Sequence, residues 1–480
     1  MMLKDKSPSC LSSIDLLWLS LVLLILLSLA LLLPLTPQDY WWYLRLGQDI
    51  ANTGSVPAVD TYSYTRAGTP FFYQSWLAAL MLWKVYSAGG LTLTFFLRAL
   101  IVATTYAWLW LLVKNAGAGT RLASLLILLA ALAGSSNWSF RPQLFTYPLF
   151  VLALYILWSW NQGRQRALWL LPFISILWVN LHGSFPLFFI LGLFFFLFGR
   201  GNKKRLALFL TVSFIGLLIN PHGMKVFGYV LNMLGSPSNQ LYSIEWLPMV
   251  NRGWQANLFF AWLLVFAPLA AMSPRKLCLL EWVLFLCFGW MALVGERYVI
   301  WFIFILVFAT AALLAEWDAR FIEGPLQNER PVINIFAACL LLLLPFALLP
   351  GFRDSWWPGA PQPYSEANPI KATKWLAAHP ELEGPLWSDF SASSYLIFAL
   401  PSRPVWIDTR FELYPPEQWD EYVAISSASP NWQMLLDKEG IQLAMLSTRA
   451  QAQLILAMQN SGQWRNGYRD EDVVIFYKYP

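Results

Sequence analysis

Residues 36–77, "TPQDYWWYLRLGQDIANTGSVPAVDTYSYTRAGTPFFYQSWL", follow directly on a run of leucines. The stretch carries Asp39, Asp49 and Asp60, two arginines and many Trp and Tyr residues. It is too polar to span a bilayer and too aromatic to belong simply in water. Whether it crosses the membrane or lies on one surface fixes the side on which every later loop falls.

The surrounding composition sets the class. Apolar residues make up 58% of the chain and charged ones 12%, far from the balance of a soluble domain. Apolar segments lie near 14–35, 92–113, 121–136, 142–160, 167–181, 184–199, 205–220, 256–272, 277–294, 298–316 and 332–350. Most are long enough for a hydrocarbon core of about 30 Å. The chain therefore reads as a polytopic α-helical membrane protein of about eleven spans. Its net charge of +5 encodes topology, and no nucleic-acid partner is expected. Lys4 and Lys6 precede the first apolar run as in a signal peptide, but the run is long and lacks a small-residue cleavage site, so an uncleaved helix is expected. The four cysteines, Cys10, Cys278, Cys287 and Cys339, avoid the polar C-terminal region and support neither a disulfide framework nor a thiolate metal site.

Basic loops orient the spans. Lys114 to Arg121, Arg164 with Arg166, Arg200 with Lys203 to Arg205, Arg275 with Lys276, and Arg320 to Arg330 alternate onto one side with Lys4 and Lys6. The connectors on the other side, "SSNWSFRP", "HGSF", "NPHG…NRGW" and "GERY", hold few basic residues. The pattern closes only if residues 36–91 lie wholly outside. Within them "FFYQSWLAALMLWKVYSAGG" reads as an interfacial helix, with Tyr73, Trp76, Trp83 and Tyr86 at headgroup level. The N-terminus is then cytoplasmic and the C-terminus extracytoplasmic, in a bacterial inner membrane.

Three regions follow: a membrane domain over 1–350, a Pro- and Gly-rich linker over 351–367, and an extracytoplasmic domain over 368–480. The last alternates helical and strand-like patterns, which argues a small α/β domain. Strands are expected at "GPLWSDF", "RPVWIDTRF", "IQLAMLST" and "DVVIFYKYP", and helices at "PIKATKWLAAHPE", "SASSYLIFAL", "PPEQWDEYVAISSA", "NWQMLLDKEG" and "RAQAQLILAMQNSG".

Placed on this topology, the scarce polar residues collect at one surface. His182 in "NLHGSF", His222 in "NPHG", Arg141 in "FRPQ", Glu245 in "IEWLP" and Arg297 in "GERY" all fall at outer helix ends. Asp39 and Asp60 join them, and Arg98, about two turns inside a helix, can snorkel to the same face. Each has a plainer alternative. Asp39 suits a helix cap, Asp60 a turn, the two histidines helix C-termini, and Arg141 a lipid headgroup anchor. Glu281, near an inner end, reads as a packed group. Charges this close to hydrocarbon are costly unless paired or functional, and it is their joint placement that argues for a site.

A sugar carried through phosphate on a polyprenyl chain would want this arrangement. The tail needs a lipid-facing groove, the phosphate needs fixed cations, and the sugar needs aromatic faces and hydrogen bonds. Arginine's planar fork suits phosphate oxygens. An attacking acceptor hydroxyl needs one carboxylate base. The leaving phosphate is a weak base, so the acid partner of glycoside hydrolysis is not required.

Here the chain resembles the GT-C superfamily of membrane glycosyltransferases, which includes protein O-mannosyltransferases, oligosaccharyltransferases and aminoarabinose transferases. The segments "DYWWYLRLGQDIANTGSVPAVDTYSYTRAG…SWL", "RPQLFTYP", "LWVNLHGSF", "NPHG", "IEW" and "PVWIDTRFELYP" are similar to those of a bacterial GT-C-like group. The resemblance implies transfer of a sugar from a polyprenyl-phosphate-linked donor to a lipid, glycan or protein acceptor on the outer face, with inversion. It implies Asp39 as the general base, Asp60, Arg98, Arg141, His182, His222, Glu245 and Arg297 as wall residues, with Arg141 and Arg297, and next Arg98, as the phosphate ligands, and membrane lipids as surroundings. Many members carry a second acid beside the first, where this chain has Tyr40. No metal between paired carboxylates, and no cofactor, is expected. A polysaccharide ligase or polymerase, a non-catalytic assembly factor, and a lipid or solute transporter remain as alternatives.

Overall fold

The computed structural model describes residues 11–321 and 330–478. Lys4, Lys6, Cys10 and most of the 320–330 loop lie outside the described residues. The first helix, α1 (Ser13–Leu32), starts at a capping box in which Ser12 and Asp15 satisfy one another's backbone N–H groups. It ends before Pro34, whose ring disfavours helical backbone in the residue ahead of it.

The opening stretch is not one continuous helix. It forms the amphipathic helix α2 (Tyr40–Thr53), an irregular loop, and the first half of α3 (Trp76–Asn115). Non-helical backbone at Gly89 and Gly90 divides α3 into two arms. Gly90 has φ +56°, which a glycine adopts without a Cβ penalty. The second arm coincides with the expected span at 92–113, and the first with the expected interfacial segment. Its aromatics differ from expectation. Tyr73 is buried and accepts a hydrogen bond from Arg410, and Trp76 donates to Asn180 at 2.9 Å, so protein contacts rather than headgroups hold these rings.

The bundle continues through α4 (Thr120–Gly134), α5 (Tyr147–Asn161), α6 (Leu171–Leu181), α7 (Pro186–Phe198) and α8 (Lys203–Gly216). Two short helices, α9 (Lys225–Gly235) and α10 (Pro237–Tyr242), fill the long connector. Then come α11 (Trp254–Met272), α12 (Leu279–Val294), α13 (Val299–Phe321) and α14 (Pro331–Leu343). Among the described residues, seven helical segments are long and apolar enough to cross a membrane. Three of the shorter helices, α6, α7 and α12, are apolar too. α13 sits at the centre: Val299 to Leu313 are buried all round, as a uniformly apolar helix must be. Glu281 is buried and paired with Arg275 at 2.7 Å, a packed group as expected.

A small sheet domain closes the chain. Its strands β1 (Leu386–Ser388), β2 (Leu443–Ser447), β3 (Trp464–Arg469) and β4 (Val473–Lys478) pair in the order β1-β2-β4-β3. β1 runs parallel to β2, and the other pairs are antiparallel. Helices α15 (Ile370–Ala377), α16 (Phe390–Ala399), α17 (Pro416–Ser426), α18 (Trp432–Lys438) and α19 (Ala452–Asn460) pack around it. The "RPVWIDTRF" segment is not the expected strand. Val405 to Asp408 are buried consecutively rather than alternately, because the segment is wedged between the domain core and the first outer loop. Val405 bridges Ser63 there, with Tyr64 N–H donating to Val405 O at 3.0 Å. β3 carries mostly polar residues and had no apolar signal.

The connection between the two parts is tied down. Leu35, just past α1, pairs with the backbone of Pro363 and Ser365, and Asn368 accepts from Trp41 Nε1 at 2.7 Å. The sheet domain is thereby fixed over α2 and the mouth of the bundle.

Candidate active site

At that mouth lies a cavity of about 450 Å³, within the usual size for a small-molecule site. Asp39, Arg141, His182, Glu245 and Arg297, delivered by five separate segments, all line it.

Asp39 occupies the N-cap position of α2, yet its side chain makes no capping bond. One oxygen accepts from Trp42 Nε1 at 3.3 Å, and the other stands 3.5 Å from Arg141 Nε. The carboxylate is thus free for the cavity, and the helix-cap alternative does not hold. Arg141 is set by extended backbone ahead of Pro142, the conformation a following proline imposes. Its Nη1 bonds Glu245, so one guanidinium joins two carboxylates from distant parts of the chain. Glu245, on the short turn Ile244–Trp246, is the more exposed of the two.

Arg297 has a different setting. Its guanidinium lies 4.3 Å over the Trp246 ring, a cation–π contact, and it forms no ion pair among the described residues. Gln143 Nε2 donates to its carbonyl at 3.3 Å. His182 caps α6 and turns inward. Ser184 N–H donates to its Nδ1 at 3.2 Å, which leaves the proton on Nε2. Burial, with Arg297 and Arg141 nearby, lowers its basicity to about 3, so the ring is a neutral donor at physiological pH.

Three expected wall residues fall elsewhere. Asp60 is wholly buried beneath the sheet domain, with its oxygens taken by Tyr62 N, Ser63 N, Ser63 Oγ and Arg410 Nη1 at 2.6–3.1 Å. Arg98 does not reach the surface: its guanidinium packs 4.4 Å over Phe95 and donates to Leu33 O. His222 lies tilted against Phe72 at 4.0 Å, and Phe72 stacks on the cavity residue Tyr229, which puts the imidazole one layer behind the wall.

No residue of the opposite wall is among the expected site residues, although three of them lie within the "PVWIDTRFELYP" segment that carries part of the resemblance. Phe390, Ser391, Thr409, Phe411 and Glu412 of the sheet domain face the cations across the cavity. Burial, with the Asp39 carboxylate adding to it, raises the proton affinity of Glu412 against the pull of its own backbone, Arg410 and Arg297. Glu412 is thus a third acid at the cavity after Asp39 and Glu245, brought by folding from the other end of the chain. Below, Leu187 and Ile190 of α7, Val230, Met233 and Leu234 of α9, and Met291 of α12 make an apolar flank. No group of three or more His, Cys, Asp or Glu side chains able to hold a metal occurs among the described residues.

No family model and no curated protein matches the chain. Solved structures do. The archaeal oligosaccharyltransferase AglB from Archaeoglobus fulgidus, in complex with an inhibitory peptide and a dolichol-phosphate, is similar over 93% of this chain and 72% of its own, at 14% identity and TM-score 0.57. The arabinofuranosyltransferase AftD from Mycobacteria is similar over 96% of this chain and 41% of its own, at 16% identity and TM-score 0.58. ArnT from Cupriavidus metallidurans, bound to undecaprenyl phosphate, is similar over 95% and 97%, at 13% identity and TM-score 0.50. The chain has the fold of the GT-C membrane glycosyltransferases.

Proposed function

We propose that this GT-C fold moves a sugar from a polyprenyl-phosphate-linked donor to a lipid, glycan or protein acceptor at the extracytoplasmic surface. The observation that carries the reading is the cavity itself: the carboxyl groups of Asp39, Glu245 and Glu412, the guanidiniums of Arg141 and Arg297, a neutral imidazole and aromatic rings beside an apolar flank. The donor class is supported by the AglB and ArnT structures, which hold dolichol-phosphate and undecaprenyl phosphate.

Each group then has a chemical job. Arg297, without a carboxylate partner among the described residues, and Arg141 bind the phosphate, with Glu245 the exposed partner that a phosphate displaces. Charge grows on that phosphate as the glycosidic bond breaks, so the same cations stabilise the transition state. The His182 Nε2 proton adds a neutral hydrogen bond. The prenyl tail lies along Leu187, Ile190, Met233 and Met291. Asp39 takes the proton of the acceptor hydroxyl as it attacks the anomeric carbon from the face opposite the phosphate, which inverts the configuration.

The test uses a strain lacking the gene. Mass spectrometry of its membrane lipids and surface glycans should reveal a missing sugar, restored by the wild-type chain and not by Asp39→Asn expressed and inserted at equal level. Restoration by Asp39→Asn would remove this carboxylate as the base.

A further inference from the structure

The wall supplied by the sheet domain has no part in the chemistry above, yet it is built like a recognition surface. Thr409 lines the cavity, and its Oγ1 is buried without a hydrogen-bond partner. An orphaned hydroxyl at a cavity wall is costly, and a rotation of the Thr409 side chain toward an entering hydroxyl would satisfy it. Glu412, three residues on, is half-buried beside the same space and makes no ion pair among the described residues. Between them Phe411 offers a ring face to the cavity, backed by Trp419 stacked on it at 4.5 Å. A hydroxyl, a carboxyl group and an aromatic face on one short segment are the elements that bind a sugar ring: polar groups for its hydroxyls, a flat face for its C–H side.

The segment is also held rigidly. Arg410, in the middle of it, is buried with Nη1 2.6 Å from Asp60 of the first outer loop and Nη2 2.5 Å from Asp408. Tyr414 donates to Asp408 at 2.7 Å and closes the cluster. Recognition groups need this kind of support to hold their geometry.

We propose that Thr409 and Glu412 form a sugar-hydroxyl recognition site, so that the sheet domain reads the carbohydrate while the membrane domain holds the phosphate. The site rests on the glycosyltransferase reading. Glu412 accepts hydrogen bonds from sugar hydroxyls there, and donates one as well whenever it is protonated. Burial and the facing Asp39 favour the protonated acid, Arg297 and Arg410 oppose it, and Tyr43 and Tyr229 are the neutral phenols around it. The hydroxyls belong either to the transferred sugar or to a glycan acceptor, and the two sources are separable.

The experiment titrates the full-length protein in nanodiscs with undecaprenyl phosphate, with a panel of undecaprenyl-phosphate-linked hexoses and pentoses, and, after loading with undecaprenyl phosphate, with the matching methyl glycosides. The wild type should bind one sugar-lipid about tenfold more tightly than the bare lipid, or one methyl glycoside measurably. The first outcome assigns the site to the donor and the second to the acceptor. Thr409→Val and Glu412→Ala should each remove that sugar increment while leaving bare-lipid affinity within about twofold, and Glu412→Gln should retain most of it. The proposal is overturned if the wild type binds the bare lipid but shows no sugar increment, or if Thr409→Val and Glu412→Ala keep it. A loss of bare-lipid affinity in those variants equal to the loss for sugar-lipid also overturns it, as a structural effect. A wild type that binds no undecaprenyl phosphate at all counts against the glycosyltransferase reading instead.

Discussion

A guanidinium shared between two carboxylates sits at the heart of the site. Arg141 touches both Asp39 and Glu245, whereas Arg297 rests on a tryptophan face. Charge-assisted hydrogen bonds contribute about 1.5–3 kcal/mol each, so Arg141→Ala should weaken undecaprenyl phosphate binding by roughly 10- to 100-fold. Arg141→Lys should recover only part, since a point charge cannot replace the fork. An isothermal titration in detergent checks both, and an unchanged affinity in Arg141→Ala would take this residue out of the phosphate site. Glu412 makes the second residue-scale prediction. Burial raises its proton affinity, so the neutral acid persists to higher pH than in an ordinary Glu and disappears as pH rises through the shifted value. The sugar increment in binding should therefore fall on the alkaline side in the wild type and stay flat in Glu412→Gln. A pH series of the same titration measures it.

The residues that the sequence made legible share one property. Asp39, Arg141, His182 and Arg297 each end or adjoin an apolar run, and Glu245 lies in the long connector between two, so hydropathy and loop charge give their expected depth in the membrane. Depth is not direction. Asp60, Arg98 and His222 lie at similar depth and point into packed protein, which no one-dimensional pattern distinguishes. Thr409 and Glu412 belong to the "PVWIDTRFELYP" segment that carries part of the resemblance, but their place at the site follows only once folding sets that segment against Asp39.

At the scale of elements, two contacts decide whether that folding succeeds. The first is the Asp60–Arg410–Asp408 cluster between the first outer loop and the sheet domain. Removing one partner of a buried ion pair costs about 3–5 kcal/mol, because the remaining charge stays buried and uncompensated. Arg410→Ala should lower the thermal unfolding midpoint and expose the sheet domain to limited proteolysis, while the bundle helices retain their circular dichroism. The second is Gly47 on α2. A Cβ there would stand 2.0 Å from the carbonyl oxygen of Ala79 on the first arm of α3, a clash with backbone that cannot yield cheaply. Gly47→Ala should displace α2 and cost roughly 1–3 kcal/mol of stability. With α2 goes the position of Asp39, so activity should fall further than stability alone accounts for.

For the whole molecule, the division of labour follows from how the two domains meet. The bundle supplies cations and an apolar flank, and the sheet domain supplies hydroxyl, acid and ring. That arrangement requires residues 36–91 and the sheet domain to share one side of the membrane. In a cysteine-free background, single cysteines at Ser55 and Ala88, both exposed, should react with an impermeant maleimide from the outside of intact spheroplasts. Protection of position 88 alone would mean that the first arm of α3 crosses and that the eleven-span topology is wrong. The most direct test of the central claim is a cryo-EM structure of the protein in nanodiscs with undecaprenyl phosphate. Density for the phosphate between Arg141 and Arg297, with the chain running along α7 and α12, is the predicted result. Phosphate bound away from Asp39, with this cavity unchanged, would contradict the account.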